Sequence, residues 1–170
     1  MKSALPAKIP NFVCNEKGRY CAKKPLTEAQ IIKAAQALLT NQHRTGRALT
    51  SPDATRCWLT LSYRDLEHEV FICLFLDNQH HVITHEELFR GTIDGAAVYP
   101  REVAKRALQL NAAAVIFAHN HPSGTTEPSS ADRSITEKLK AALNLLDIRT
   151  LDHFIIGKTG AYSFAEHGLI

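Results

Sequence analysis

No stretch of this 170-residue sequence approaches the ~18 consecutive apolar residues that a membrane-spanning helix needs. The N-terminus also lacks the short apolar core of a secretion signal. A cytoplasmic, reduced location with no membrane partner is therefore the expectation. Long runs of lysine or arginine are missing as well. Lys+Arg of 20 against Asp+Glu of 17 leaves a net charge of +3, so attraction to nucleic acid should be weak. None of the four cysteines forms a Cys-x-x-Cys pair. Cys57 and Cys73 lie in apolar stretches and read as small buried hydrophobes. Cys14 and Cys21 flank the turn-like Asn15-Glu16-Lys17-Gly18-Arg19 and read as free thiols, half a metal site or a disulfide being the alternatives. The sequence has no internal repeat and no low-complexity tract.

What is present is the composition of a globular domain: 45% hydrophobic and 22% charged residues. A chain of this length buries roughly 68–70% of its unfolded surface without added staples. Residues 1–26 carry three prolines and five lysines and suggest a loosely ordered lead. Thr27-Glu28-Ala29-Gln30 has the form of a capping box. Ile31, Ile32, Ala35, Leu38 and Leu39 follow at helical spacing, predicting a helix over about 27–40. Asn41 to Thr50 is polar and reads as a linker. Ser51-Pro52 should open a helix that runs to about Tyr63. Strands are expected at Val70–Leu76 and His81–Phe89, joined by a turn at Asp77-Asn78-Gln79. Pro100 opens another helix, Ala112–Ala118 reads as a strand covered on both faces, and Ser129–Leu146 is an amphipathic helix. Short strands at 154–156 and 161–164 close the chain. This order predicts an α/β fold, a mixed central sheet with helices packed on both faces. It divides the chain into an N-terminal extension with one helix (1–47) and a domain proper (48–170).

The informative stretch is Ala118-His119-Asn120-His121-Pro122-Ser123-Gly124, continuing through Pro128-Ser129-Ser130-Ala131-Asp132. In extended chain, residues i and i+2 point the same way, with Cα atoms about 6.6 Å apart. His119 and His121 can thus converge on one ion. Pro122, Gly124 and Pro128 turn the chain, and Asp132 in the first turn of the next helix can complete the set. Two neutral nitrogens and one carboxylate leave a fourth tetrahedral position open, the arrangement of a catalytic rather than a structural zinc. Blander readings exist: Ser129-x-x-Asp132 is also a capping box, and the histidines alone could be solvated turn residues. Capping and metal binding are compatible.

The adjacent letters His119-Asn120-His121 do not make an HNH nuclease, which spreads those residues over a ββα unit. The His-x-Glu and Pro-Cys-x-x-Cys of a zinc deaminase are missing. His85-Glu86-Glu87-Leu88-Phe89 lacks the second histidine of a zincin.

The spacing His-x-His-x7-Ser-x2-Asp resembles the JAMM motif of the JAB/MPN metalloprotease family. The RadC-type subgroup of bacterial proteins is more similar still. The strings that carry this likeness are Val98-Tyr99-Pro100-Arg101-Glu102-Val103, Asn111-Ala112-Ala113-Ala114, Leu151-Asp152-His153 and Phe164-Ala165-Glu166-His167-Gly168, over about residues 50–170. The resemblance implies an α/β sandwich like that of cytidine deaminases, with Zn2+ held by His119, His121 and Asp132. It also implies cleavage of a peptide or isopeptide amide in a peptide or protein substrate. Zinc lowers the pKa of bound water to about 7, and a carboxylate must then move the proton. The subgroup's Glu-x-Leu-Phe-x-Gly string places that role on Glu86, with Glu87 pointing away, and strand alternation does not decide between the two. Ser129 would hydrogen-bond the oxyanion or only cap its helix. His153 reads as a packed, hydrogen-bonded histidine rather than a ligand. Residues 122–128 suggest a gate over the site.

A different class of function is a non-catalytic metal-binding module linked to DNA repair or DNA metabolism, an association carried by the RadC-type name. The helical N-terminal domain of such proteins does not fit into the 47 residues before the domain. Weak or no DNA binding by this chain, steeply salt-dependent, is therefore expected.

Overall fold

The computed structural model describes residues 9–16, 19–44, 52–91 and 97–170. Expectations for 1–8, for Ser51 and for the linker beyond Arg44 lie outside them.

Five strands form a mixed sheet in the order β4-β3-β5-β6-β7. They are β3 (Val70–Leu76), β4 (Val82–Arg90), β5 (Ala114–Asn120), β6 (Arg149–Gly157) and β7 (Gly160–Ser163). Only β5 and β6 run parallel, and α4 (Ser130–Asn144) is their crossover. The strands β3 and β5 are buried along their whole length, as continuous apolar runs require.

Alternation divides the core in two. Val70, Ile72, Leu74 and Leu76 of β3 face Trp58, Leu59 and Tyr63 of α2 (Pro52–Tyr63). Phe71, Cys73 and Phe75 face the other way, onto Val103 and Ala107 of α3 (Pro100–Gln109) and Leu139 and Leu143 of α4. Helices therefore cover both faces, as expected.

Several boundaries moved. The strand β5 continues through Asn120 and so contains His119. The strand β6 spans nine residues rather than three, because Asp152 and His153 within it are satisfied inside. Buried Asp152 accepts from the His153 and Ala165 amides and from the Ser163 hydroxyl. Burial raises the pKa of Asp152, with those three bonds opposing. The first helix, α1, runs Glu28–Arg44, beyond the expected end at 40. Its Ile31 is exposed and its Ala34 is buried. Before α1, the extension also forms a hairpin: β1 (Phe12–Cys14) pairs with β2 (Tyr20–Ala22). Cys14 lies opposite Tyr20 and Cys21 opposite Val13, and both thiols are free. Cys57 is exposed, against expectation, because α2 turns Thr55, Trp58 and Leu59 inward. Among the described residues no helix is long and apolar enough to cross a membrane.

Candidate metal centre

The last turn of chain before the site is locked by the middle residue of His119-Asn120-His121. Asn120 points away from the histidines; its side-chain Oδ1 accepts from the Val70 amide (2.9 Å) and its Nδ2 donates to the His68 carbonyl (3.1 Å). The backbone N–H of His121 donates to the Ile156 carbonyl (2.9 Å), which carries the β5–β6 ladder one step past the strand. His119 and His121 therefore face the same way, their ring centroids 4.8 Å apart. Their Nε2 atoms are 3.0 Å apart.

Asp132 arrives from α4. Ser129 is the N-cap, and the capping box is complete: Ser129 Oγ accepts from the Asp132 amide (3.1 Å), and Asp132 Oδ2 accepts from the Ser129 amide (2.7 Å). The Ser129 hydroxyl also donates to Asp132 Oδ2 (2.6 Å). That bracing aims the carboxylate at the rings, with Oδ1 3.0 Å from His119 Nε2 and Oδ2 3.6 Å from His121 Nε2. Capping and site formation are thus done by the same residues.

These three residues form a group that can hold a metal ion. The protonation pattern fits one. His121 Nδ1 meets the Thr125 carbonyl at 3.1 Å, and a carbonyl only accepts, so Nδ1 carries a proton and, in the neutral ring, Nε2 keeps a lone pair. Two lone pairs and a carboxylate at this spacing repel unless a cation lies among them. The 3.0 Å nitrogen separation is near the about 3.3 Å edge of a tetrahedron with ~2.0 Å bonds. The group opens to solvent on one side: the side chains of His121 and Asp132 keep 15% and 13% exposure, against 2% for His119.

Charge follows this arrangement. Burial penalises the Asp132 carboxylate, but the His119 and His121 rings and the Ser129 hydroxyl, all within polar contact of it, hold its pKa far below the usual range. The Asp132 hydrogen bond raises the pKa of His121 against burial, and the charges of Asp132 and Glu69 add to the rise. His153 is fully buried beside the group, and burial holds its pKa well below the ordinary imidazole value. It packs as expected and is not among the ligands: its Nε2 is 2.9 Å from His119 Nδ1.

Glu86 lies on the same sheet face as the ligands, opposite Cys73, and Glu87 opposite Ile72 turns to the α2 face. The two glutamates diverge as expected, yet Glu86 does not join the three ligands. Its carboxylate is gripped by Arg106 of α3, at 2.7 Å to Nε and 2.5 Å to Nη2. That bond lowers its pKa, with burial opposing.

Glu69 is the carboxylate that sequence reasoning missed. It precedes β3 and continues the odd-numbered face of Phe71, Cys73 and Phe75. Phe71 pairs with His119 across antiparallel β3 and β5, so one step outward Glu69 comes level with His121. Its charge is felt there. The signal was present in the alternation of Val70–Leu76, but using it requires the β3–β5 register.

The expected gate is fastened at its centre. Gly124 donates its N–H to the His121 carbonyl (2.9 Å), and its own carbonyl accepts from the Lys158 amide (3.1 Å). Gly124 has φ of 89°, where other residues are strained. A Cβ on Gly157 would strike the Gly124 carbonyl oxygen, so glycine is needed for this close approach.

Comparison with known proteins agrees with this geometry. A family model described as a RadC-like JAB domain matches residues 49–169. A UPF0758 protein of Vibrio cholerae is 53% identical over 163 residues, covering 92% of this chain and 73% of that protein. UPF0758 proteins of Chromohalobacter salexigens and Nitrosococcus oceani are 54% and 51% identical over 156 and 170 residues, covering 88% and 100% of this chain and 70% and 75% of their own lengths. The mixed sheet with helices on both faces and the His-His-Asp group at the end of β5 sit within the matched span, and the chain belongs to the RadC-like JAB domain family.

Proposed function

We propose that this protein is a zinc-dependent hydrolase of the JAMM type that cleaves a peptide or isopeptide amide. The carrying observation is the His119–His121–Asp132 group, with Nε2 atoms 3.0 Å apart and one side open to solvent. Zinc in such a site supplies a Lewis acid and acidifies water to a pKa of about 7, which provides a nucleophile at neutral pH. The protein's own groups supply the rest. Glu69, level with His121, accepts the proton of the attacking water and returns it to the departing amine nitrogen. Ser129 orients Asp132 and, with its hydroxyl turned outward, donates to the developing oxyanion. Glu86 is a structural partner of Arg106 in this reading.

Metal analysis of protein never exposed to chelator is the first test, with close to one zinc per chain expected. Given an amide substrate, Glu69→Gln should lower kcat by about 10²–10⁴-fold while zinc stays bound. Glu86→Gln should leave kcat within about threefold, since an ion pair this exposed contributes little. The reverse ranking would return the base to Glu86, and metal-free protein would remove the hydrolytic reading altogether.

A further inference from the structure

Behind the ligand group runs a buried line of polar atoms that metal binding does not itself require. His119 Nδ1 lies 2.9 Å from His153 Nε2. His153 Nδ1 lies 2.6 Å from Thr136 Oγ1, and Thr136 Oγ1 lies 2.6 Å from the Asp132 carbonyl oxygen. All three side chains are essentially excluded from solvent. Water therefore cannot repair a mismatched bond, and every proton along the line must find an acceptor.

That requirement gives the line a direction. The Asp132 carbonyl can only accept, so the one proton of the Thr136 hydroxyl goes to it. Thr136 Oγ1 must then accept from His153, which places a proton on His153 Nδ1. A neutral imidazole with Nδ1 protonated has a lone pair on Nε2. His153 Nε2 accordingly accepts from His119 Nδ1, and His119 Nε2 is left bare. That bare nitrogen is the atom 3.0 Å from both His121 Nε2 and Asp132 Oδ1. The reversed order would need Thr136 to turn its hydroxyl to the ring and abandon the carbonyl. It would also put a proton on His119 Nε2, where the ion belongs.

We propose that His153, held by Thr136, is a positioning residue that fixes His119 as the Nδ1–H tautomer and so aims its Nε2 lone pair at the metal. The inference rests on the metal-site reading above. It assigns work to two residues outside the ligand set. Thr136 stands one helical turn after Asp132, so α4 delivers both a ligand and the anchor of the line that orients another ligand. A histidine ligand's other nitrogen is generally tied to a carbonyl or carboxylate. His121 follows that pattern through Thr125, and His119 uses a second imidazole.

The test measures zinc affinity of the full chain by competition with a chromophoric chelator. It also reads imidazole nitrogen protonation by long-range ¹H–¹⁵N NMR on metal-free protein. Thr136→Val keeps the shape and removes the acceptor, and it should weaken zinc binding by about 10–100-fold. Thr136→Ser restores the oxygen and should stay within about threefold of the parent. His153→Gln can accept from His119 and donate to Thr136, and should bind zinc more tightly than His153→Phe. In the parent spectrum, His119 should carry its proton on Nδ1. Equal affinity of Thr136→Val and parent, or a His119 proton on Nε2, would overturn the proposal. The NMR measurement needs neither zinc nor a well-folded variant. A parent that binds no zinc would sink the function proposed above, while the NMR tautomer would still judge His153 separately.

Discussion

The two faces of the central sheet are built from alternate residues of the same strands, yet they end differently. On the α2 face, Val70, Ile72, Leu74 and Leu76 meet Trp58, Leu59 and Tyr63 in an apolar core, and its buried polar side chains Asn120 and Asp152 are closed off by hydrogen bonds. Over α3 and α4 the apolar packing of Phe71, Phe117 and Leu139 runs out at one end into His119, His153, Thr136 and Asp132. Phe71 stacks on the His119 ring at 6.1 Å, marking where one regime gives way to the other. One face is maintained by close packing, where a lost methylene is felt wherever it occurs. The other is maintained at its end by donor and acceptor order, where shape can be kept and function still lost.

Breaking the polar end should have the larger effect on chemistry. Asp132→Ala should reduce zinc affinity by more than about 100-fold, beyond the 10–100-fold range of residues that only support a ligand. It should cost only about 1 kcal/mol of stability, through the lost cap, with calorimetry and chelator competition as the measurements. Breaking the apolar face should do the opposite. Leu74→Ala should cost about 2–5 kcal/mol in urea unfolding and leave zinc affinity within about threefold. Equal damage to zinc binding from both changes would erase the distinction between the faces. A smaller effect concerns pH. His121 has a raised pKa in the metal-free protein, so its contribution is fully present below the unfolded value of about 6.5. That contribution is lost as pH rises through the raised value. Metal-free protein should therefore gain slightly from this group between about pH 8 and pH 6. Zinc-loaded protein should lose stability over the same interval, because the proton competes with the ion. Paired urea titrations at the two pH values, with chelator and with zinc, check the opposite signs.

The candidate ligands are legible in the sequence because they are local: His119 to Asp132 is one strand end, one turn and one helix start. The base is not. Glu69 meets His121 only through antiparallel pairing of β3 and β5, and fifty-two positions of sequence separate them. A string within β4 points to Glu86 instead, and its guanidinium partner comes from α3, which no local pattern reveals. The strand β6 was read short for a related reason. Thr150, Asp152 and His153 look like interruptions until Ser163 and Thr136 are seen to satisfy the last two. The covering of both sheet faces by helices was foreseen, since apolar periodicity encodes it directly.

The contact between Gly124 and the β6–β7 hairpin has a mechanical consequence. With the Gly124 carbonyl bound by the Lys158 amide and Gly157 pressed against it, the turn after the second histidine and the hairpin form one stiff unit. Displacing that turn requires breaking this contact or moving the hairpin with it, so in the proposed hydrolase a swinging flap at this turn would cost the Gly124–Lys158 bond.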